Sequence, residues 1–272
     1  RWKFNYGAFF SPKTIANSIL SPLSSETTVR IEENSQEENY KKIYLLNMSA
    51  FLNEKNTIRG SNYILHDFFL LENNQELNFR FRYSQRKSLD QYSGSIERGY
   101  TRERSIRIKF KMVEEITNQT DYTNSQDNIA SNTLNNRVRE ITGNTILSDF
   151  SYRPTKNIEV GFQIKSGKNT DIYPSTPTII DINAQVLRFN YSLASAGRIH
   201  IEIERNELIA NTTKNYIPYE LTGGNNIGKN YIWRANIDYR ISSFLQSSAA
   251  YDGRLVDGKA IHNARAEVRA YF

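Results

Sequence analysis

The sequence predicts an all-β fold, an antiparallel transmembrane β-barrel of about twelve strands. Two observations support this prediction. Many segments alternate apolar and charged residues with a period of two, which is the pattern of a strand with two unlike faces. The connections between these segments alternate between tight turns and long polar loops, as they do between the two rims of a membrane barrel.

The alternation is clearest in six segments before the C-terminal one. In each of them, most residues at every second position are apolar, and most residues at the positions between are charged or carry an amide. The segments are Trp2–Phe10 and residues 77–84, 106–112, 158–165, 199–204 and 232–241. A soluble sandwich would bury the apolar face and solvate the charges, so the alternation alone does not decide which face meets solvent or lipid.

Loop length distinguishes these alternatives. Counted back from the C-terminus, tight turns occur at residues 242–243, 194–197 and 153–156. Between them lie longer polar connections at residues 253–263, 206–229, 167–179 and 114–144. The stretch 87–102 departs from this order because it is long for a tight turn. Sorting by length between two rims is typical of membrane barrels, so we expect the apolar face to meet lipid.

The last segment, residues 264–272, alternates small or apolar residues with charged ones and stops on Phe272. It resembles the closing strand of bacterial outer-membrane β-barrels, whose assembly machinery recognises a terminal Phe preceded by hydrophobic residues at every second position. The resemblance implies a location in the bacterial outer membrane and contact with outer-membrane lipid. It also implies that Val268, Ala270 and Phe272 form the signal read by the barrel-assembly machinery.

Strand counting gives about ten clear segments, and two more from residues 27–71 make about twelve, with about ten as the alternative. We expect residues 1–272 to form a single membrane β-barrel domain. Residues 11–75 are irregular and are expected to form a plug, a loop or additional strands. Trp2–Phe10 pairs with residues 264–272 if the barrel closes, or the chain supplies the C-terminal strands of a larger barrel. At Val186-Leu187 the apolar residues change from even-numbered to odd-numbered positions, and this switch of parity predicts a β-bulge.

Aromatic residues are abundant, with 17 Tyr and 14 Phe. Such residues favour strands and collect in girdles at membrane interfaces. We expect Trp233 and Tyr251 in one belt. The other belt is expected to contain Trp2, Tyr83, Tyr152, Tyr191, Tyr239 and Phe272.

Composition excludes several classes of protein. Mean hydropathy is −0.62, and no segment approaches the run of about 20 apolar residues that a membrane helix needs. The chain has no cysteine, so disulfides and cysteine-based sites are absent. Net charge is +6, but lysines and arginines are spread through the strands rather than clustered, so no nucleic-acid partner is expected. The three histidines lack metal-ligand spacing, so we expect no metal or cofactor.

An enzyme is not expected. A barrel of this size resembles the outer-membrane phospholipase, which uses a His and a Ser two positions apart. None of His66, His200 and His262 is followed at that spacing by Ser. His262, which we expect in an external loop, has only Asp252 and Asp257 as acidic neighbours in sequence.

Charged residues on the polar face are the candidate functional site. Five cations on two neighbouring strands predict a basic lumen wall of Arg80, Arg82, Arg107, Lys109 and Lys111. An acidic wall of Glu202, Glu204 and Asp238 is predicted opposite them. This charge separation favours a passive pore for small polar or anionic solutes. The alternative is a structural or anchoring barrel with a filled lumen, the C-terminal part of a larger surface or secretion assembly that binds partner proteins through its long loops.

Overall fold

A computed structural model shows thirteen strands in one sheet, joined in sequence order, and one short helix. It describes residues 2–10, 23–35, 52, 55, 57–92, 94–132, 138–174, 176–193, 196–212, 217–256 and 258–270. The elements are β1 (Trp2–Phe10), β2 (Leu23–Ser35), β3 (Thr57–Leu70), β4 (Leu77–Tyr92), β5 (Ser95–Val113), β6 (Ile116–Ser131), β7 (Arg139–Thr155), β8 (Ile158–Asp171), β9 (Thr178–Leu193), β10 (Gly197–Ala210), α1 (Tyr219–Thr222), β11 (Gly228–Arg240), β12 (Leu245–Val256) and β13 (Lys259–Ala270). No helix in these ranges is long and apolar enough to cross a membrane.

The strands belong to two compact units. The first unit comprises Arg1–Ile108, Tyr122–Asn144 and Thr170–Thr178. The second comprises Lys109–Asp121, Thr145–Asn169 and Ile179–Phe272. Each strand pair with a described register is antiparallel, so the predicted antiparallel all-β architecture is confirmed.

In the second unit, most apolar residues of β9 to β13 from Leu187 onward share one face of the sheet, here called the apolar face. The registers align them in rows across the strands. Ile201, Ile203 and Ile237 are 39%, 49% and 44% exposed, so they are not packed into a core. Glu202 and Asp238 lie half-buried on the opposite face, here called the polar face. The apolar face is therefore the exposed one, as a lipid-facing surface requires.

The apolar face has the width of a membrane and aromatic residues at its ends. On β11 it extends from Trp233 to Ile241, close to the about 9–11 residues that a tilted strand needs to cross the hydrocarbon core. At one end the Trp233 and His262 rings lie 5.7 Å apart, and Tyr251 Oη lies 2.8 Å from His262 Nδ1. Toward the other end lie Tyr191 and Tyr239, near the start of β10. Membrane proteins place aromatic residues at these interfacial positions.

Several predicted loops are strands. β4 ends at Tyr92 and β5 begins at Ser95, so the stretch 87–102 is a tight hairpin with Gly94 at a φ of 81°. Residues 253–263 likewise contain the end of β12 and the start of β13 around Gly258, whose φ is 75°. His262 therefore lies in β13, not in a loop. The reason is that strand pairing continues beyond the apolar face into segments where the apolar–polar alternation has ended.

The prediction of a long loop at residues 114–144 is also wrong, because this stretch contains β6 and the start of β7. β6 lacks apolar alternation, and amide and hydroxyl side chains pair it with β7. Asn118 Nδ2 donates to Ser148 Oγ at 2.9 Å, and Thr120 Oγ1 lies 3.1 Å from the same Ser148 Oγ. The two other predicted long connections are confirmed but shorter, at residues 172–177 and 211–227.

The predicted bulge at Val186-Leu187 is absent, since β9 pairs with β10 in unbroken register. The parity switch has another cause. In the first part of β9, before Leu187, the apolar residues Ile180 and Ile182 lie on the other face and are buried. Near them the β10–β11 connection folds against the sheet, because Leu221 is fully buried and Asn169 Nδ2 donates to its carbonyl oxygen at 2.8 Å.

The irregular region 11–75 contributes two regular strands, β2 and β3, and its register shift falls at Asn34/Ser35. Residues 11–22 and 36–51, where a plug or further strands were expected, lie outside the described residues.

Ile237 provides a test of which face meets lipid. It lies in the middle row of the apolar face, beside Ile199 and Ala249. We expect Ile237→Arg to destabilise the folded protein by about 2–4 kcal/mol, the cost of a cation near the bilayer midplane. Asn236→Arg, one residue away on the polar face, is the control and should cost far less. Chemical unfolding from lipid vesicles measures both, and equal costs would contradict the assignment.

Candidate functional site

A row of alternating charges crosses the polar face of the second unit. The registers place Arg188, Glu202, Arg234 and Asp252 side by side on β9, β10, β11 and β12. Arg234 donates to the Glu202 carboxylate, and Arg188 donates to Asp149 on β7. Each charge in the row therefore has an opposite charge next to it.

A glycine lets this row cross β8. Gly161 lies under the Arg188 guanidinium, and a Cβ atom at this position would be 2.9 Å from Arg188 Nε. Because β8 lies between β7 and β9, a larger residue here would occupy the space through which Arg188 reaches Asp149. The missing side chain allows a cation on one strand to pair with a carboxylate two strands away.

The predicted acidic residues share the second unit, but they do not form an uninterrupted acidic wall. Glu202 belongs to the alternating row. For Glu204 and Asp238, the structure shows no ion pair in the part of the chain that it describes. Asp238 lines a pocket of about 350 Å³ together with Asn190, Arg198, His200 and Asn236. In that pocket His200 Nδ1 lies 2.6 Å from Asn190 Oδ1.

In the first unit, Arg80 and Arg82 converge on one carboxylate. Arg80 Nε and Nη2 lie 3.0 and 2.9 Å from the Asp67 oxygens, and Arg82 Nε and Nη2 lie 2.9 and 3.0 Å from them. The Asp67 side chain is only 4% exposed, whereas that of Arg80 is 25% exposed. The two bidentate pairs use all the lone-pair positions of the carboxylate. These arginines are thus partly neutralised rather than presented as a free basic surface.

Asp67 is a residue of the candidate site that the sequence analysis did not single out. It lies opposite Arg82 in the β3–β4 register, and Arg80 lies opposite Phe69, with its guanidinium carbon 5.1 Å from the ring centroid. The signal in the sequence was a single carboxylate between His66 and a run of four apolar residues. A charge inside such a run is costly unless a partner lies on the adjacent strand.

The remaining predicted cations lie on β5 and belong to different units. Arg107 is half-buried in the first unit, whereas Lys109 is exposed and Lys111 half-buried in the second. Neither lysine forms an ion pair within the described ranges. Of the five predicted cations, Arg80 and Arg82 are the pair for which the described residues show a shared partner. Across the residues that the structure describes, no cluster of three or more His, Asp or Glu side chains is arranged to hold a metal ion.

Part of the predicted assembly signal lies within β13. Val268 is exposed on the apolar face, opposite Ser247, and Ala270 is the last residue of the strand. Phe272 lies outside the described residues. The role of these three residues stays a prediction.

A sheet with an exposed apolar face of membrane width, aromatic residues at its ends and an ion-paired polar face is the fold of a bacterial outer-membrane β-barrel protein. Comparison with known proteins gives no matching family model and no match among curated proteins. Solved structures do match, and they are bacterial outer-membrane β-barrels. The predicted fold class is thus confirmed, and the predicted location in the outer membrane agrees with it.

Two of the solved structures resemble this chain with a TM-score above 0.5. The ferric-catecholate import receptor Fiu from Escherichia coli K12 has a TM-score of 0.57 at 7% identity, and the siderophore receptor PiuA from Acinetobacter baumannii has 0.54 at 6%. Both matches cover 92% of this chain but only 49% and 47% of the receptors. CdiB from Acinetobacter baumannii matches at a TM-score of 0.48 and 9% identity, over 99% of this chain and 50% of that one. The chain thus spans about half the length of these proteins.

The alternating row predicts that Glu202 and Glu204 differ in their effect on stability. Glu202→Gln removes the carboxylate that binds Arg234, but Arg234 is 43% exposed and keeps Asp252 as its neighbour on β12, so we expect a loss of about 1 kcal/mol. Glu204→Gln, on the same strand and face, is the matched control and should be nearly neutral. Denaturant unfolding of the two variants in detergent measures the difference, and similar midpoints would contradict the ion-paired row.

Proposed function

We propose that this chain is a structural wall, the C-terminal strands of a larger outer-membrane β-barrel that anchors a surface or secretion assembly. The interspersion of charge on the polar face carries this proposal. Arg188 and Arg234 alternate with carboxylates, and Asp67 is shared by two arginines. A wall that only has to be stable places opposite charges side by side, whereas a pore that selects by charge presents one sign to its lumen.

The fold comparison supports the larger barrel. The two receptors whose TM-scores exceed 0.5 align with nearly all of this chain and are about twice its length. The apolar face contacts outer-membrane lipid in this proposal, and the barrel-assembly machinery inserts the strands. The β10–β11 connection at residues 211–227, held against the sheet by buried Leu221, is the loop through which partner proteins bind.

A passive pore for small polar or anionic solutes is the second candidate. The observation in its favour is the pair of lysines on β5, Lys109 and Lys111, for which the described residues provide no ion pair. These side chains would attract anions if they line a water-filled lumen. They are two of the five cations that the sequence predicted; of the others, Arg80 and Arg82 are bound to Asp67 and Arg107 lies in the first unit.

Conductance separates the two functions. The protein, purified as cells produce it and inserted into planar bilayers, should show no steady charge-selective current if it is an anchor. A steady anion-preferring current that turns toward cations in the variant Arg80→Glu/Arg82→Glu/Lys109→Glu would refute the anchor and establish the pore. Lys156→Glu, in the exposed β7–β8 turn, is the control for the addition of negative charge outside the strands.

Deletion of Phe272 tests recognition by the assembly machinery. We expect the deleted protein to reach the outer membrane at a several-fold lower level, because the alternating pattern Val268, Ala270, Phe272 loses its terminal aromatic residue. Phe272→Tyr keeps the aromatic ring and is the control. Outer-membrane fractions are compared by immunoblotting, and an unchanged level after deletion would rule out the signal.

A further inference from the structure

The first unit has an exposed apolar side of its own, formed by β3, β4 and β5. The β3–β4 register places Phe68 opposite Phe81, and both side chains are exposed. On β5 the guanidinium carbon of Arg104 lies 5.9 Å from the centroid of the Tyr83 ring, so Arg104 shares the side of β4 that carries Phe81. Ile106, two residues further along β5, is exposed on the same side. We call this surface the lipid side of the first unit.

The lipid side changes from apolar to cationic toward the hairpin that joins β4 and β5. On β4 the apolar positions give way to Tyr83 and, four residues further, to Lys87. On β5 they give way to Arg104, which lies level with Tyr83, and then to Arg102. The Tyr83 hydroxyl donates to Gln85 Oε1 at 2.6 Å, so the ring stands between apolar and polar positions. Aromatic rings and long cations take such positions where a protein leaves the hydrocarbon for the headgroup region.

These three cations, Lys87, Arg102 and Arg104, have no carboxylate on their own side of β3, β4 or β5. All the carboxylates of these strands stand at the alternate positions, on the side of the candidate site, and they are Asp67, Asp90, Glu97 and Glu103. Within the described ranges the three cations form no ion pair, and Arg102 Nε is buried without a hydrogen-bond partner. Arg80 and Arg82, on the other side of the same sheet, share a carboxylate. The cations of the lipid side therefore need a counterion from outside these strands.

We infer that Lys87, Arg102 and Arg104 bind the phosphate group of an anionic membrane lipid. A guanidinium presents parallel N–H donors that match two oxygens of a phosphate, and an unpaired cation beside hydrocarbon is costly. A lipid places its phosphate at the level where the apolar positions end and its acyl chains along Phe81 and Ile106. The Tyr83 ring supports the Arg104 guanidinium through a cation–π contact. The inference goes beyond the proposed function, because an anchor and a pore would both contact lipid here.

Lipid retention in detergent tests this site. The full chain is purified in a neutral detergent and mixed with equal amounts of phosphatidylglycerol, which is anionic, and phosphatidylcholine, which is zwitterionic. Native mass spectrometry then counts the lipids that stay bound. We expect the unmodified protein to retain mainly phosphatidylglycerol. Each cation near an anionic surface contributes about five-fold in affinity, so Arg102→Gln/Arg104→Gln should lower this preference by about 25-fold.

Two further variants separate the site from a general effect of charge or folding. Lys109→Gln/Lys111→Gln removes the same charge from the alternate positions of β5 and should keep the preference for phosphatidylglycerol. Arg102→Lys/Arg104→Lys keeps the charge but loses the paired donors, so it should retain an intermediate preference. Circular dichroism and the unfolding midpoint verify that each variant is folded.

Three results would overturn the inference. The first is an equal preference in the unmodified protein and in Arg102→Gln/Arg104→Gln, and the second is an equal loss in Lys109→Gln/Lys111→Gln. The third is displacement of the lipid by inorganic phosphate at the same concentration, which would show that a soluble anion is the ligand. Conductance enters none of these measurements, so the lipid site and the anchoring function can fail independently of each other.

Discussion

The backbone of this protein must satisfy its own hydrogen bonds, because lipid offers none. Within the hydrocarbon core, each N–H and C=O therefore needs a neighbouring strand. This constraint explains why β9 and β10 pair without interruption along the apolar face, from Gly197 to Ile203, and the pairing then continues to Ala210. It also explains why side-chain chemistry is free to differ so strongly between the two faces: the backbone holds the sheet together, and the side chains only adapt it to lipid on one face and to polar surroundings on the other.

The sequence predicts the strands correctly where their side chains alternate between a lipid-facing and a polar side of the sheet. Ile199, Ile201 and Ile203 alternate with polar residues because one face meets lipid, and the structure places them as predicted. It fails at β6, where no apolar alternation marks a lipid face, although the strand is hydrogen-bonded between β5 and β7 like the other strands of the sheet. Alternation is therefore a signal of lipid-facing side chains rather than of the sheet, and a strand that lacks it looks like a loop in the sequence.

The charged sites show a second limit, which is register. Arg80 and Arg82 are visible in the sequence, and so is their common face. That they share Asp67 depends on the alignment of β3 with β4, which no local pattern encodes. The pair of Arg188 and Asp149 depends on a still more distant relation, since it requires a glycine on the strand between them. Positive and negative residues that are separated along the chain lie next to each other across the strands. This arrangement favours the structural wall over the charge-selective pore as the proposed function.

The parity switch in β9 shows how the environment changes along one regular strand. After the switch, Leu187, Phe189 and Tyr191 lie on the apolar face. Before it, the buried residues Ile180 and Ile182 lie on the other face. An unbroken register excludes a bulge, so the switch has to come from the surroundings. Leu187 is aligned through Ile203 with Trp233, an aromatic residue at the end of the apolar face. The switch and the aromatic residue therefore mark the same level, the outer limit of the hydrocarbon, beyond which β9 buries Ile180 and Ile182 on the other face.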